Sequence, residues 1–241
     1  MLSIIIPCYN EETLVKKSFI EIFKALKKSK IIQYEIIFFD DGSKDSSLLI
    51  VEKLQRQNKK IKIIRNKKNY GIGYNFFKGI SKSKGKYLIQ IPADNSHPSK
   101  EISKIIKLYG KGYDIVTTYY SNNAQRSFFR NLFTLFYTPF LNLIYGTSFH
   151  YFNGITLYNN KLLKKLDLSN SSFSYQIEIF VFLYHRYNLK IKIIPTILKD
   201  RKKGSKAFRI KNSFMVLISI FKIFLKSIYY RISNFFYKSK N

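Results

Sequence analysis

The 241-residue sequence has a single cysteine, Cys8, and no tryptophan. One cysteine excludes an internal disulfide framework and any zinc site built from several cysteines, which agrees with a reducing compartment. Ten glycines and five prolines are too few for a collagen-like or Gly/Pro-rich low-complexity chain. Because 46% of the residues are hydrophobic and 17% are aromatic, we expect the chain to fold around a sizeable core.

Acidic residues are also scarce, with 14 Asp and Glu against 43 Lys and Arg and a formal net charge of +29. Such a charge favours polyanions or anionic surfaces as partners. The excess of Ile, Lys, Asn, Phe and Tyr is equally typical of an AT-rich genome, so the charge alone does not identify a function. The sequence contains no Cys/His finger and no RNP-like aromatic strand motif, and no nucleic-acid partner is expected.

Long hydrophobic runs are absent, and no stretch reaches the roughly 20 apolar residues that a membrane span needs. The N-terminal residues meet a proline and two acids too early for a signal peptide, so neither export nor a stable span is expected. Near the C-terminus, Ser219, Lys222, Lys226 and Arg231 form a narrow polar face on an otherwise apolar helical pattern. This pattern is typical of a helix in a membrane interface and equally of a core helix docked on a sheet.

The first half of the chain alternates strand and helix patterns. Short apolar runs typical of buried strands occupy residues 3–6, 35–39, 61–64 and 87–91. Helical periodicity separates the first three runs, so the sequence predicts an α/β fold, with a mostly parallel twisted sheet and helices on both faces. Ligands bind such sheets at the carboxyl ends of the strands.

The polar residues that follow the first, second and fourth runs are rich in carboxylates. They include six of the 14 acids: Glu11, Glu12, Asp40, Asp41, Asp45 and Asp94. The first loop has no glycine, and Gly71-Ile72-Gly73 lacks the third glycine of a dinucleotide-binding turn, so a nicotinamide enzyme is not expected. The pattern indicates a carboxylate-lined pocket at one end of the sheet.

Several segments carry a resemblance to a known family. IIIPCYNEE, FFDDGSKD, NYGIGYNFFKGI and GKYLIQIPADNSHP, in this order and spacing, resemble the nucleotide-sugar half of the family 2 glycosyltransferases, which have the GT-A fold. FNGITLYNNKLL, SYQIEI and DRKKGSKAF resemble the polyprenyl-phosphate (dolichol-phosphate type) sugar transferase branch. The resemblance implies a GT-A catalytic domain over residues 1–208. The amphipathic pattern beyond it predicts a membrane-interfacial helical tail over residues 209–241, peripheral on the cytoplasmic face of the membrane.

The resemblance also implies how a UDP- or GDP-sugar is held. The base and ribose would be cradled by residues after the first two strands, namely Pro7, Tyr9, Glu11, Asp40 and Asp41. Arg201 and Lys206 belong to a segment that resembles the branch's R-x-x-G-x-S-K motif with one residue missing before the serine. Such a basic loop would fold over the diphosphate, or it is only a charged exit from the domain.

Asp94 falls on the second acid of the D-x-D motif that, in the family, binds the diphosphate through Mg²⁺ or Mn²⁺. The branch's D-A-D-L-Q-H-P run reads PADNSHP here, so Pro92 replaces the first acid and Ser96 the glutamine. Three interpretations stay open. Asp94 suffices together with diphosphate oxygens and waters, or lysines replace the metal, or the domain is a degenerate, non-catalytic subunit.

For the acceptor, Arg126 and Arg130 match the branch's basic pair that faces the acceptor phosphate, and guanidinium forks grip phosphate oxygens well. The alternative is two arginines on a solvated helix face. A lipid phosphate is already anionic, whereas a saccharide hydroxyl needs a base, for which Glu178 is the candidate; its alternative role is structural. The sequence thus predicts an inverting transferase acting on polyprenyl phosphate, with a saccharide acceptor in cell-surface polysaccharide synthesis as the alternative.

Overall fold

The computed structural model describes residues 1–121, 128–166, 174–199 and 218–229, without the side chains of residues 128–135. The strands are β1 (Leu2–Cys8), β2 (Tyr34–Asp40), β3 (Ile61–Arg65), β4 (Tyr87–Gln90), β5 (Ile115–Tyr120), β6 (Leu157–Asn159) and β7 (Ile191–Thr196). The helices are α1 (Val15–Lys28), α2 (Ser47–Gln57), α3 (Ile72–Lys82), α4 (Ser99–Ile106), α5 (Phe128–Tyr145), α6 (Asn160–Leu163), α7 (Tyr175–Arg186) and α8 (residues 218–229).

The strands form one sheet in the order β3-β2-β1-β4-β6-β5-β7. Pairs β1–β2, β1–β4, β2–β3 and β5–β7 are parallel, and the short strand β6 is antiparallel to β4 and β5. The predicted mostly parallel α/β sheet is therefore confirmed. The antiparallel strand was not predicted, because three residues are too few to show a strand period.

Successive side chains of each strand enter two different cores. In β1, Ile4 and Ile6 join the core formed with α1, α2 and α4, whereas Ile5 joins the core formed with α3, α5 and α7. This follows from the alternation of side chains along a strand. Because both faces of the sheet are covered by helices, the strands read as continuous apolar runs, and the carboxyl edge is left to the loops.

Helix α8 packs one side against the second core. Ile220 and Ile223 are buried there, and the Tyr145 hydroxyl donates to the Ile220 carbonyl at 3.0 Å. On its other side Phe221 and Leu225 are exposed, at 62% and 53%. The predicted core docking is therefore observed for one side of this helix, and its placement in a membrane interface stays a prediction. Within the described ranges, no helix has the length and apolarity to cross a membrane.

Candidate active site

Three acid-bearing loops meet at the carboxyl end of β1. Cys8 pairs with Asp40 in the parallel register, and the Asp41 amide donates to the Cys8 carbonyl at 2.8 Å. On the other side of β1, the Ala93 amide donates to the carbonyl of the buried Pro7 at 3.2 Å. The loop carrying Asp94 and the loop carrying Asp41 thus flank the end of the same strand, as the sequence predicted.

Hydrogen bonds join the first and second loops. The Asn10 amide donates to the Ser43 hydroxyl at 3.1 Å, and the Lys44 amide donates to the Asn10 side-chain carbonyl at 2.8 Å. Asn10 has a φ of 55°, a left-handed conformation that asparagine tolerates. The Glu12 amide donates to the Asp45 carboxylate at 3.0 Å. These bonds fix the backbone that carries the half-buried side chains of Tyr9 and Glu11.

Asp41 organises the turn before α3. Its Oδ1 accepts from the Asn66 side-chain amide at 2.8 Å and from the Tyr70 amide at 3.0 Å, and its Oδ2 accepts from the Gly71 amide at 2.9 Å. Gly71 has a φ of 93°, which favours glycine. Asp40, also buried, accepts from the Ser43 amide at 3.1 Å. Contact of either carboxylate with a nucleotide stays a prediction, and the supporting role of Asp41 was missed by the sequence analysis.

Cys8 does not supply a nucleophile. Burial raises the pKa of its thiol to about 12, and the nearby carboxylates of Asp40 and Glu11 add to the rise, while a hydrogen bond involving Ser47 opposes it. The thiol therefore stays protonated at neutral pH, and a thiolate is the reactive form of cysteine. The chemistry of this edge falls to oxygen and nitrogen groups.

The Asp94 loop is held close to β1 and α1. The half-buried Asp94 accepts at Oδ1 from the Ser96 amide at 3.0 Å and from the Ser96 hydroxyl at 2.6 Å. The Ser18 hydroxyl of α1 donates to the Pro92 carbonyl at 3.2 Å. Ser96, which departs from the family pattern, therefore orients the remaining acid of the motif. The sequence offered no signal for this contact other than the departure itself.

The Asp94 loop fits a divalent ion held by a single protein carboxylate. In the part of the chain that the structure describes, no three His, Cys, Asp or Glu side chains form a group that could hold a metal. Mg²⁺ is commonly bound through one or two carboxylates together with substrate phosphates and waters. Asp94 with a diphosphate would supply such an oxygen set, and metal binding by the motif that contains Pro92 stays a prediction.

Glu178 lies in α7, on the side of the sheet covered by the second core. Its buried carboxylate is 2.7 Å from the ammonium of Lys226 in α8. The start of α7 is bonded to the rest of the domain, since the Gln176 side-chain amide donates to the Gly154 carbonyl at 2.9 Å. The structure thus records an ion pair for Glu178, and its function as a base stays a prediction.

Three predicted site residues lie outside the described residues: Arg126, Arg201 and Lys206. Arg130 belongs to α5, but its side chain is not among those described. Downstream of β7, the Lys199 amide donates to the Ser96 carbonyl at 2.9 Å. The described residues that lead towards Arg201 therefore end beside the Asp94 loop, and the approach of Arg201 and Lys206 to a diphosphate stays a prediction.

The comparisons with known proteins agree with this geometry. A family model described as "Glycosyl transferase family 2" matches residues 3–167. The putative glycosyltransferase CsbB of Bacillus subtilis (strain 168) is 36% identical over 145 residues, 59% of this chain and 43% of the relative. An undecaprenyl-phosphate 4-deoxy-4-formamido-L-arabinose transferase of Proteus mirabilis (strain HI4320) is 35% identical over 130 residues, 53% of this chain and 39% of the relative. The match thus spans less than half the length of these relatives.

Solved structures share the fold. Glucosyl-3-phosphoglycerate synthase from Mycobacterium tuberculosis, in complex with UDP, superposes with a TM-score of 0.66 at 14% identity, over 93% of this chain and 80% of the other. S. aureus TarS residues 1–349, in complex with UDP-GlcNAc, superposes with a TM-score of 0.65 at 18% identity, over 94% of this chain and 66% of the other. At these identities the likeness shows the fold alone, and it confirms the predicted GT-A architecture.

Proposed function

The chain belongs to glycosyltransferase family 2, and from this we propose that it transfers a sugar from a nucleoside-diphosphate sugar to polyprenyl phosphate at the inner face of the cell membrane. The observation that carries the proposal is the meeting of the Asp41 and Asp94 loops at the end of β1. Donor binding at the carboxyl edge of a parallel sheet is the arrangement expected of this architecture.

For the donor, we propose a UDP-sugar ahead of a GDP-sugar. Both neighbours described above were solved with UDP or a UDP-sugar, which supports this choice. The base and ribose would contact the side chains of Tyr9 and Glu11 and the edge formed by Pro7, Asp40 and Asp41. Arg201 and Lys206 are proposed to approach the diphosphate, and the position of Lys199 beside the Asp94 loop supports that proposal.

For the metal, we propose Mg²⁺ or Mn²⁺ held by Asp94 and the diphosphate oxygens. A structure of the mycobacterial synthase contains Mn²⁺ together with UDP-glucose, which supports the choice of ion. When bound, such an ion supplies a Lewis acid that stabilises the charge on the departing diphosphate. The protein's own part is to hold Asp94 in place, through the two hydrogen bonds from Ser96.

In the proposed reaction, an oxygen of the acceptor phosphate attacks the anomeric carbon of the sugar. The new carbon–oxygen bond forms as the bond to the nucleoside diphosphate breaks, the diphosphate leaves with the electron pair, and the configuration inverts. A phosphate nucleophile is anionic at neutral pH, so positioning and charge neutralisation supply most of the catalysis. Engagement of Glu178 by Lys226 suits a reaction that needs no general base.

Two observations support a lipid acceptor over a saccharide. Relatives matched over about half of this chain are named undecaprenyl-phosphate sugar transferases. Helix α5, which carries Arg130, exposes Phe136, Phe140 and Leu143, spaced i, i+4 and i+7 along one helix face. Together with the exposed side of α8, this stripe supports a position at a membrane interface, where the isoprenoid of the acceptor resides.

The proposal is tested by measuring release of nucleoside diphosphate from UDP- and GDP-sugars. The acceptors are undecaprenyl phosphate in detergent or vesicles and, separately, an oligosaccharide. We expect UDP release that depends on undecaprenyl phosphate and a glycolipid product of inverted configuration. Turnover with the oligosaccharide alone would refute the lipid acceptor, and retention of configuration would refute the single displacement.

A further inference from the structure

Three separate elements meet at the loop that carries Asp94. Helix α1 contributes Glu21, α4 contributes the amide of its first residue, Ser99, and the segment after β7 contributes Lys199. The Lys199 ammonium lies 3.0 Å from Glu21 Oε1 and 3.1 Å from the side-chain oxygen of Asn95. The Lys199 amide also donates to the Ser96 carbonyl at 2.9 Å. Lys199 therefore bonds Asn95 and Ser96, the two residues that follow Asp94.

Glu21 completes this arrangement from the other side of the loop. Its Oε2 accepts from the Ser99 amide at 2.6 Å, at the start of α4, where a carboxylate is favoured by the helix dipole. Burial acts to raise the pKa of Glu21, but hydrogen bonds from Lys199 and Ser99 outweigh it and hold the pKa below its ordinary value. Glu21 is thus ionised at neutral pH and binds Lys199 as a charge pair.

The loop needs such support because of its own conformation. Asn95 adopts a φ of 54°, a left-handed conformation that is unfavourable for a residue other than glycine, although asparagine tolerates it better than most. The Lys199 ammonium lies 3.1 Å from the side-chain oxygen of this residue. Lys199 therefore stabilises the turn that presents Asp94.

Because Pro92 stands in place of the first acid of the motif, the support of this loop by Lys199 and Glu21 affects the site directly. A motif with two acids can grip an ion from two positions, whereas here the loop offers Asp94 alone, so the geometry of the site depends on how well that loop is fixed. Misplacement by about 1 Å can cost on the order of 100-fold in rate. The contacts of Lys199 join this loop to the segment that leads into Arg201.

We propose that Lys199 is a positioning residue of the donor site, which with Glu21 holds the Asn95–Ser96 turn so that Asp94 meets the diphosphate and its ion. The inference rests on the proposed function, because it names the device that aligns the same site. It assigns Lys199 no contact with substrate. Its action passes through Asn95 and Ser96.

The test compares Lys199→Met, Lys199→Arg and the control Lys192→Met, which removes an exposed lysine of β7. Amide hydrogen exchange is measured in the ligand-free protein over residues 93–99, and kcat and donor KM are measured with undecaprenyl phosphate. We expect Lys199→Met to exchange faster over this segment and to lose roughly 10- to 100-fold in kcat at saturating donor. Lys199→Arg should retain most of the exchange protection and most of kcat, since a guanidinium can bond the same oxygens of Glu21 and Asn95.

A thermal melt of each variant separates local loosening from failure to fold, and Glu21→Gln provides a second variant that weakens the same charge pair. The inference is overturned if hydrogen exchange over residues 93–99 is unchanged in Lys199→Met. It is also overturned if exchange is faster in that variant but kcat is unchanged. If the wild-type protein releases no nucleoside diphosphate from any donor, the proposed function fails. In that case unchanged hydrogen exchange in Lys199→Met would still show that Lys199 does not hold the Asn95–Ser96 turn. Faster exchange would show that Lys199 stabilises the turn as a structural contact.

Discussion

At the scale of single residues, the site depends on a small number of carboxylates with different duties. Both oxygens of Asp41 accept hydrogen bonds from the segment before α3, and Asp94, in the loop between β4 and α4, accepts at Oδ1 from Ser96. The buried Asp41 carboxylate is held in place by these amide donors. We therefore propose that Asp41 stabilises the turn before α3 and that Asp94 contacts the metal.

Asp94→Ala is expected to abolish most of the metal-dependent transfer, a loss of at least roughly 100-fold in kcat, because no second acid of the motif remains. Calorimetry with UDP, with and without Mn²⁺, should show that the metal-dependent part of binding is lost. Glu52→Ala removes a carboxylate of α2 outside the three loops and serves as the control. Full activity in Asp94→Ala would mean that the metal is bound elsewhere. No UDP affinity of the wild-type protein under any condition would support the non-catalytic alternative.

Glu35 links stability to pH. Burial acts to raise its pKa, but bonds from Lys62, Lys84 and Ser3 outweigh this and lower it from the ordinary 4.5. A carboxyl whose pKa is lower in the folded than in the unfolded protein contributes stability that is fully present above the unfolded value and is lost as pH falls through the folded one. We expect the free energy of unfolding to decrease below pH 4.5.

Glu35→Gln tests this directly. Urea unfolding followed between neutral pH and pH 3 should show a variant that is less stable than the wild type at neutral pH, with a shallower decrease in acid. Parallel curves for the two proteins would contradict the assignment. Because Lys62 is about half exposed, we expect the ion pair itself to contribute less than the buried bond from Ser3.

At the scale of elements, helix α8 joins the second core to an apolar exposed surface. Phe221 and Leu225 are one turn apart and both exposed, and Lys222 lies between them in sequence. A helix of this kind can rest in the headgroup region with its apolar side inserted and its lysines extended to water. The proposed membrane association therefore requires that the exposed side of α8, with Phe221 and Leu225, contacts the lipid.

Phe221→Ser combined with Leu225→Ser should lower binding to vesicles containing anionic phospholipid by at least about tenfold, because two exposed apolar side chains lose their burial in the interface. Co-sedimentation measures this without reference to activity. Leu49→Ser, which changes an exposed leucine of α2, is the matched control. Equal vesicle binding of the double variant and the control would exclude α8 as the contact, and melting curves would verify that Ile220 and Ile223 still pack.

At the scale of the whole molecule, the chain has a net charge of +29. Six of its 14 acids lie in the loops at the carboxyl edge of the sheet. The anionic acceptor and the anionic membrane of the proposed function would both be attracted to such a surface, over a distance of about 10 Å at 0.1 M salt. Acids at the edge accept hydrogen bonds from backbone amides, as Asp41 does from Tyr70 and Asp45 from Ser47.

Much of the fold followed from periodicity. The predicted runs at residues 3–6, 35–39, 61–64 and 87–91 correspond to β1, β2, β3 and β4. Strands β1, β2 and β4 are almost entirely buried and read as largely apolar segments. Strands β5, β6 and β7 were missed, and the three residues of β6 carry no readable period. The family motifs lie in the loops that follow β1, β2 and β4, and donor binding at that edge stays a prediction.

What the sequence by itself determined was the parallel α/β sheet, the loops that carry the acids and the family. Only the tertiary structure decided that Asp41 supports a turn, that Glu178 pairs with Lys226, and that Lys199 bonds Asn95 across 104 residues. The physical reason is the range of the forces involved. Hydrophobic periodicity reports which side of an element is buried, whereas a hydrogen bond between distant loops exists only after the sheet has brought their backbones within about 3 Å.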